Sequence, residues 1–154
     1  MILISCVNIK YGRSVSAPII VMLLMMVNMA VAGYVEEIIF RGFLFRAMEK
    51  DNLKFAVIVS AITFGAGHIV NLANTADTFG VFMQVFYAIA IGFMFTVIAY
   101  KGGSLWPCIL SHMFVNGSSV FAVPTSNSME LATSIGIIVI SGCYAYWLWN
   151  KKDS

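Results

Sequence analysis

Charge is what this sequence has least of. Only 10% of its 154 residues are Asp, Glu, Lys or Arg, against 60% hydrophobic, whereas a soluble domain carries about a quarter charged residues. That scarcity excludes an ordinary water-soluble globule, which would need polar surface the chain does not possess. It leaves a bundle of helices that turns its apolar side chains to lipid. The formal net charge of +2 and the scatter of the basic residues near expected helix ends exclude a nucleic-acid surface. Cysteine is scarce as well: Cys6, Cys108 and Cys143 are odd in number, far apart and without C-x-x-C spacing, which excludes a disulfide framework and leaves them as small apolar fillers. A secretory signal pattern is missing, because Lys10 and Arg13 follow the first apolar residues instead of preceding a short apolar core. Long polar loops, internal repeats and low-complexity tracts are also missing, so one membrane domain over residues 1–154 is expected.

What is present is a series of apolar runs. A bilayer core about 30 Å thick takes roughly 20 helical residues, and five runs approach that length. The first extends without charge from Ala17 to Val35 and continues, still largely apolar, through Glu36, Glu37 and Arg41 to about Met48. The others cover Phe55 to Ala73, Phe79 to Tyr100, Leu105 to Val123 and Leu131 to Trp149. The predicted fold is therefore all-α, an integral membrane bundle of about five helices. Arg46, Lys50, Lys54, Lys101, Lys151 and Lys152 fall in the first and third connections and the C-terminal tail, which places those segments on the cytoplasmic side. Lys10 and Arg13 then fall on the other side, against the rule unless that segment is re-entrant or follows further helices.

Charged and polar groups inside apolar helices cost several kcal/mol each unless paired, so those that persist are functional candidates. Glu37 and Arg41 are four apart and stack on one helix face, which suits a buried ion pair. Glu36 lies about 100° around the helix from Glu37, left outside that pair and available as a general base. In the second run, Phe64-Gly65-Ala66-Gly67-His68 sets a histidine after two glycines, which allow a neighbouring backbone to come close. In the fourth, His112 and Asn116 are four apart on one face. Each feature taken alone is compatible with packing glue between helices; together they place two histidines, an acid pair, an arginine and an asparagine in separate apolar stretches, the pattern of a catalytic site.

The joint pattern resembles the CPBP group, the CAAX-type and bacteriocin-processing intramembrane proteases also called abortive-infection proteins. The signature E-E-x-x-x-R is matched by Glu36-Glu37 to Arg41, F-x-x-x-H by Phe64 to His68, and H-x-x-x-N by His112 to Asn116, across about residues 30–120. The resemblance implies an intramembrane endopeptidase in which Glu36 and His68 activate a water and His112 and Asn116 hold the oxyanion. Glu37 and Arg41 orient the first motif, and Phe64 packs beside the site.

Two questions stay open at this level. Glu36, His68 and His112 would suit a three-ligand zinc site, but the H-E-x-x-H helix that would argue for zinc is missing, and a metal-free site is favoured. Substrates implied by the resemblance are a prenylated C-terminal tail, a bacteriocin leader or another membrane-anchored peptide, and a homo-oligomer would cover exposed apolar flanks. A non-catalytic scaffold or bacteriocin-immunity protein would keep the same polar cluster. A small proton-coupled transporter would need polar residues in series, for which the third and fifth runs offer chiefly Gln84, Thr96, Ser134 and Ser141. Family members usually carry two or three more helices before the first motif, whereas Glu36 here follows a single apolar run. A multi-pass protein of an inner or plasma membrane is expected.

Overall fold

A computed structural model describes residues 18–122 and 126–151; Cys6, Lys10, Arg13 and Lys152 lie outside them. Among the described residues every regular element is helical. Helix α1 is Ile19–Glu37, followed by a π-helical stretch Ile38–Phe45 and a closing turn Arg46–Met48. Helix α2 is Leu53–Gly67 and tightens into a 3-10 segment His68–Ala73. Helix α3 is Thr78–Gly102, α4 is Trp106–Ser118 with a 3-10 turn Ser119–Phe121, and α5 is Asn127–Asn150. Four spans, Ile19–Met48, Leu53–Ala73, Thr78–Gly102 and Asn127–Asn150, are long and apolar enough to cross a membrane.

The fourth expected span falls short of that length. Helix α4 has 13 residues, about 20 Å of helix against a hydrocarbon core of about 30 Å. Pro107 lies in its first turn, and after Ser118 the chain tightens while the Ser118 and Ser119 hydroxyls donate to the carbonyls of Val115 and Asn116 at 2.9 and 2.6 Å. Hydroxyls that satisfy the last carbonyls in this way compete with continuation of the helix.

Local chemistry sets the other ends. The Asn52 side chain accepts from the Phe55 N–H at 3.0 Å, and Asp77 accepts from the Gly80 N–H at 2.9 Å, each capping free N–H groups of a helix start. Helix α3 ends at Gly103, whose φ of 63° is the left-handed geometry that glycine adopts without strain.

By its contacts the chain divides into two compact units, residues 1–38 with 105–124 and residues 39–104 with 125–154. In the first, α1 and α4 pack antiparallel: Gly33 faces the backbone of His112 and Met113, and Gly117 faces Met26 and Ala30. Trp106, Leu110 and Phe114 form an exposed apolar stripe at four-residue spacing on α4. In the second, α3 is central, with α2 antiparallel and α5 parallel to it. Lys101 Nζ donates to the Lys151 carbonyl at 3.1 Å, joining the C-terminal ends of α3 and α5, where the rings of Phe45, Tyr100 and Trp149 also meet. That end of the unit carries the lysines. The opposite end, formed by residues 71–78 and the start of α5, has no Lys or Arg.

Close approach of α2 and α3 depends on glycine. A Cβ on Gly65 would lie 2.7 Å from Ile89 N and 2.9 Å from the Val85 carbonyl oxygen, and one on Gly92 would lie 3.0 Å from Ala61 Cα. Without a hydrophobic drive between helices in lipid, such van der Waals contact is a main source of association. Gly65→Ala is therefore expected to cost about 1–3 kcal/mol, as overpacking against a stiff backbone does. Gly67→Ala, where nothing lies within 4 Å, is expected to be neutral or slightly stabilising. Unfolding of the two variants in mixed detergent micelles checks the contrast; equal stabilities would contradict it.

Candidate active site

In the first unit the end of α1 delivers two carboxylates to one imidazole. Gly33 makes this possible, since a Cβ there would stand 3.1 Å from the carbonyl carbon of His112 and 3.2 Å from Met113 N. One turn later, Glu37 is fully buried and its Oε1 accepts from His112 Nδ1 at 2.8 Å. A carboxylate can only accept here, so Nδ1 carries the proton and the ring orientation is set. The opposite nitrogen, Nε2, lies 3.4 Å from Glu36 Oε2. That oxygen is buried and accepts no hydrogen bond from any described residue, although the Glu36 side chain as a whole is 34% exposed. Two acceptor lone pairs cannot face one another favourably, so a proton on either Nε2 or Glu36 reconciles the contact. Asn116 follows His112 by one turn of α4 and is half-buried.

In the second unit Arg41, Phe64 and His68 form a stack. Arg41 lies in the π-helical stretch and is fully buried. It donates through Nη2 to the Gly92 carbonyl at 3.1 Å and through Nε to Thr96 Oγ1 at 3.4 Å. Its guanidinium carbon stands 4.3 Å from the centroid of the Phe64 ring, a cation–π contact strengthened by burial. Phe64 in turn meets Phe40 and His68 edge-on, with centroids 5.4 and 5.2 Å apart.

The placement of His68 has a local cause. Where α2 tightens, the His68 backbone N–H turns to Gly65 and Ala66 and not to the i−4 carbonyl of Phe64. The Phe64 carbonyl is then open to His68 Nδ1, which lies 3.1 Å away. A carbonyl only accepts, so Nδ1 is the donor, and in the neutral tautomer that this selects, Nε2 keeps its lone pair.

The structure thus brings Glu36, Glu37 and His112 together, with Asn116 on the same helix as His112, and groups Arg41, Phe64 and His68. Glu37 takes up His112, a contact that the spacing of Glu37 and Arg41 does not announce. Ser60, Gly92 and Thr96, all contacts of the Arg41 segment, leave almost no signal in sequence, because a hydroxyl in an apolar helix usually bonds to its own preceding turn. Among the described residues, no three His, Cys, Asp or Glu side chains are grouped to hold a metal ion.

Residues 17–118 match the family described as type II CAAX prenyl endopeptidase Rce1-like. The chain belongs to that family. The matched stretch holds Glu36, Glu37, Arg41, Phe64, His68, His112 and Asn116 and ends with α4. A similar protein is "Putative membrane peptidase YdiL" of Bacillus subtilis (strain 168), 29% identical over 125 residues, which are 79% of this chain and 47% of that protein. The chain therefore spans about half the length of the curated relative it matches. No solved structure matches. With the family and its four long apolar helices, this Rce1-like chain is a multi-pass membrane protein.

Proposed function

We propose that the chain is the core of an intramembrane endopeptidase that hydrolyses a peptide bond of a membrane-associated substrate, with Glu36 as the general base. The observation that carries the reading is the His112 imidazole held between two carboxylates. One, Glu37, is fully buried and orients the ring through Oε1; the other, Glu36, is partly exposed and offers a buried oxygen without a hydrogen bond beside Nε2. Glu36 takes a proton from a water whose oxygen attacks the scissile carbonyl carbon. With Glu36 ionised as the base, the proton in its contact with His112 belongs to Nε2 of a doubly protonated ring, and the tetrahedral oxyanion accepts from that Nε2–H and from the Asn116 amide. Collapse breaks the C–N bond as the proton held by Glu36 passes to the leaving nitrogen, leaving an acid and an amine. The family resemblance adds His68 as the second group in water activation, and its tautomer leaves Nε2 able to accept.

The family, type II CAAX prenyl endopeptidase Rce1-like, supports a prenylated C-terminal peptide as substrate class, reaching the site through lipid, in an inner or plasma membrane with the lysine-bearing end toward the cytoplasm. The proposed chemistry is metal-free, supported by the His112 contacts: its two nitrogens face Glu37 and Glu36. The full chain reconstituted in vesicles is expected to release the tail from a farnesylated CAAX peptide, detected by mass spectrometry, and to do so at an unchanged rate after treatment with 1,10-phenanthroline. Inhibition reversed by added zinc would overturn the metal-free chemistry. Release of the same product by Glu36→Gln at the parental rate would overturn the proposed base.

A further inference from the structure

We infer that Ser60 and Thr96 are positioning residues for His68, acting through the π-helical segment and Arg41; the importance given to His68 rests on the peptidase reading above. Neither hydroxyl belongs to the motifs that define the site, yet both are fully buried, and both engage the segment that carries Arg41. A π-helix is a wider, less stable turn that persists where something outside the helix holds it, and it recurs at functional sites. Here the Ser60 hydroxyl donates to the Phe40 carbonyl at 2.9 Å, in the middle of Ile38–Phe45. Its proton leaves its own helix and is spent on the neighbouring one.

Thr96 has the complementary part. Its hydroxyl donates to the Gly92 carbonyl at 2.8 Å, so the lone pairs of Oγ1 remain to receive Arg41 Nε–H at 3.4 Å. The same Gly92 carbonyl accepts Arg41 Nη2 at 3.1 Å. Ser60 Oγ and Thr96 Oγ1 are themselves 3.4 Å apart, so the two anchors lie side by side, each with its proton given to a carbonyl. Two donor directions of a planar guanidinium are thus held by one turn of α3, and this fixes the plane that lies over Phe64. Phe64 meets the His68 ring edge-on and gives it the carbonyl that determines its tautomer. The chain of contacts runs from hydroxyl pair to guanidinium to phenyl ring to imidazole. Loss of either hydroxyl loosens the Arg41 plane, then Phe64, and then the direction of His68 Nε2.

The chain has only two histidines, so imidazole ¹⁵N spectra of the full-length protein in lipid nanodiscs read the two rings separately. Thr96→Val, which keeps shape and removes the hydroxyl, and Ser60→Ala are each expected to shift the His68 resonances and mix its tautomers. The His112 signals should stay in place, and Thr96→Ser should restore the parental His68 spectrum. In the cleavage assay the first two variants are expected to lower kcat about tenfold with KM unchanged, the effect of one lost buried hydrogen bond. An unmoved His68 spectrum in a folded Thr96→Val or Ser60→Ala protein overturns the inference, as does an equal displacement of both rings, which would report a general loss of packing. If Thr96→Val does not fold, Ser60→Ala decides by the same criteria. A parental chain that cleaves nothing, with the selective His68 shift still present, would fail the peptidase reading and leave the positioning relation standing.

Discussion

Glu36→Gln is expected to reduce peptide cleavage by about 10²–10⁴-fold, the usual contribution of a positioned general base, while the helices stay folded. Gln keeps the size and shape of Glu but has no carboxylate to take a proton from water. The fold should survive because the packing between α1 and α4 runs through Gly33, Glu37 and Gly117. Glu36 itself is partly exposed and accepts no hydrogen bond at its buried oxygen. Turnover measured with wild-type and variant protein in the same vesicles, beside circular dichroism and unfolding of each, separates loss of chemistry from loss of structure. The same substitution tests the non-catalytic alternatives: a scaffold or immunity protein would keep its phenotype with Gln at this position.

Arg41→Met should lower stability by about 2–3 kcal/mol, the loss of hydrogen bonds between a buried charged group and neutral acceptors. The guanidinium is fully buried, bonds to Gly92 and Thr96, and lies on Phe64. Methionine fills much of the stem volume but supplies no donors, so the variant isolates the polar contribution from the cavity term. Arg41→Lys should recover only a small part, because an ammonium has neither the planar face that lies on Phe64 nor the two-directional fork that reaches Gly92 and Thr96 together. Unfolding in mixed detergent micelles measures the order wild type, Lys, Met. A Met variant as stable as wild type would mean that the guanidinium contacts contribute nothing net.

The contrast between these two glutamate and arginine sites explains how much of the molecule can be read along the chain. Membrane helices announce themselves, because a bilayer forces long uncharged runs, and α1, α2, α3 and α5 lie where those runs are. Polar residues inside such runs are conspicuous for the same reason, and Glu36, Arg41, His68 and His112 stand out without any coordinates. Helix α4 was harder to delimit: its run is apolar through Val123, but Pro107 and the back-bonding Ser118 and Ser119 confine the α-helix to 13 residues.

Composition and spacing by themselves determined that this is a helical membrane chain and which side chains are the candidates for its chemistry, since in hydrocarbon a charge is too costly to leave unpaired. They did not determine who bonds to whom. That Glu37 holds His112, that Arg41 is anchored by Gly92 and Thr96, and that the Phe64 carbonyl fixes the His68 tautomer follow only from how closely helices approach at Gly33, Gly65 and Gly92 and from local departures from α-geometry at Ile38–Phe45 and His68–Ala73. Hydrogen bonding reaches only about 3 Å. A partner far away in sequence is therefore chosen by backbone approach to within tenths of an ångström, a quantity that no residue pattern encodes.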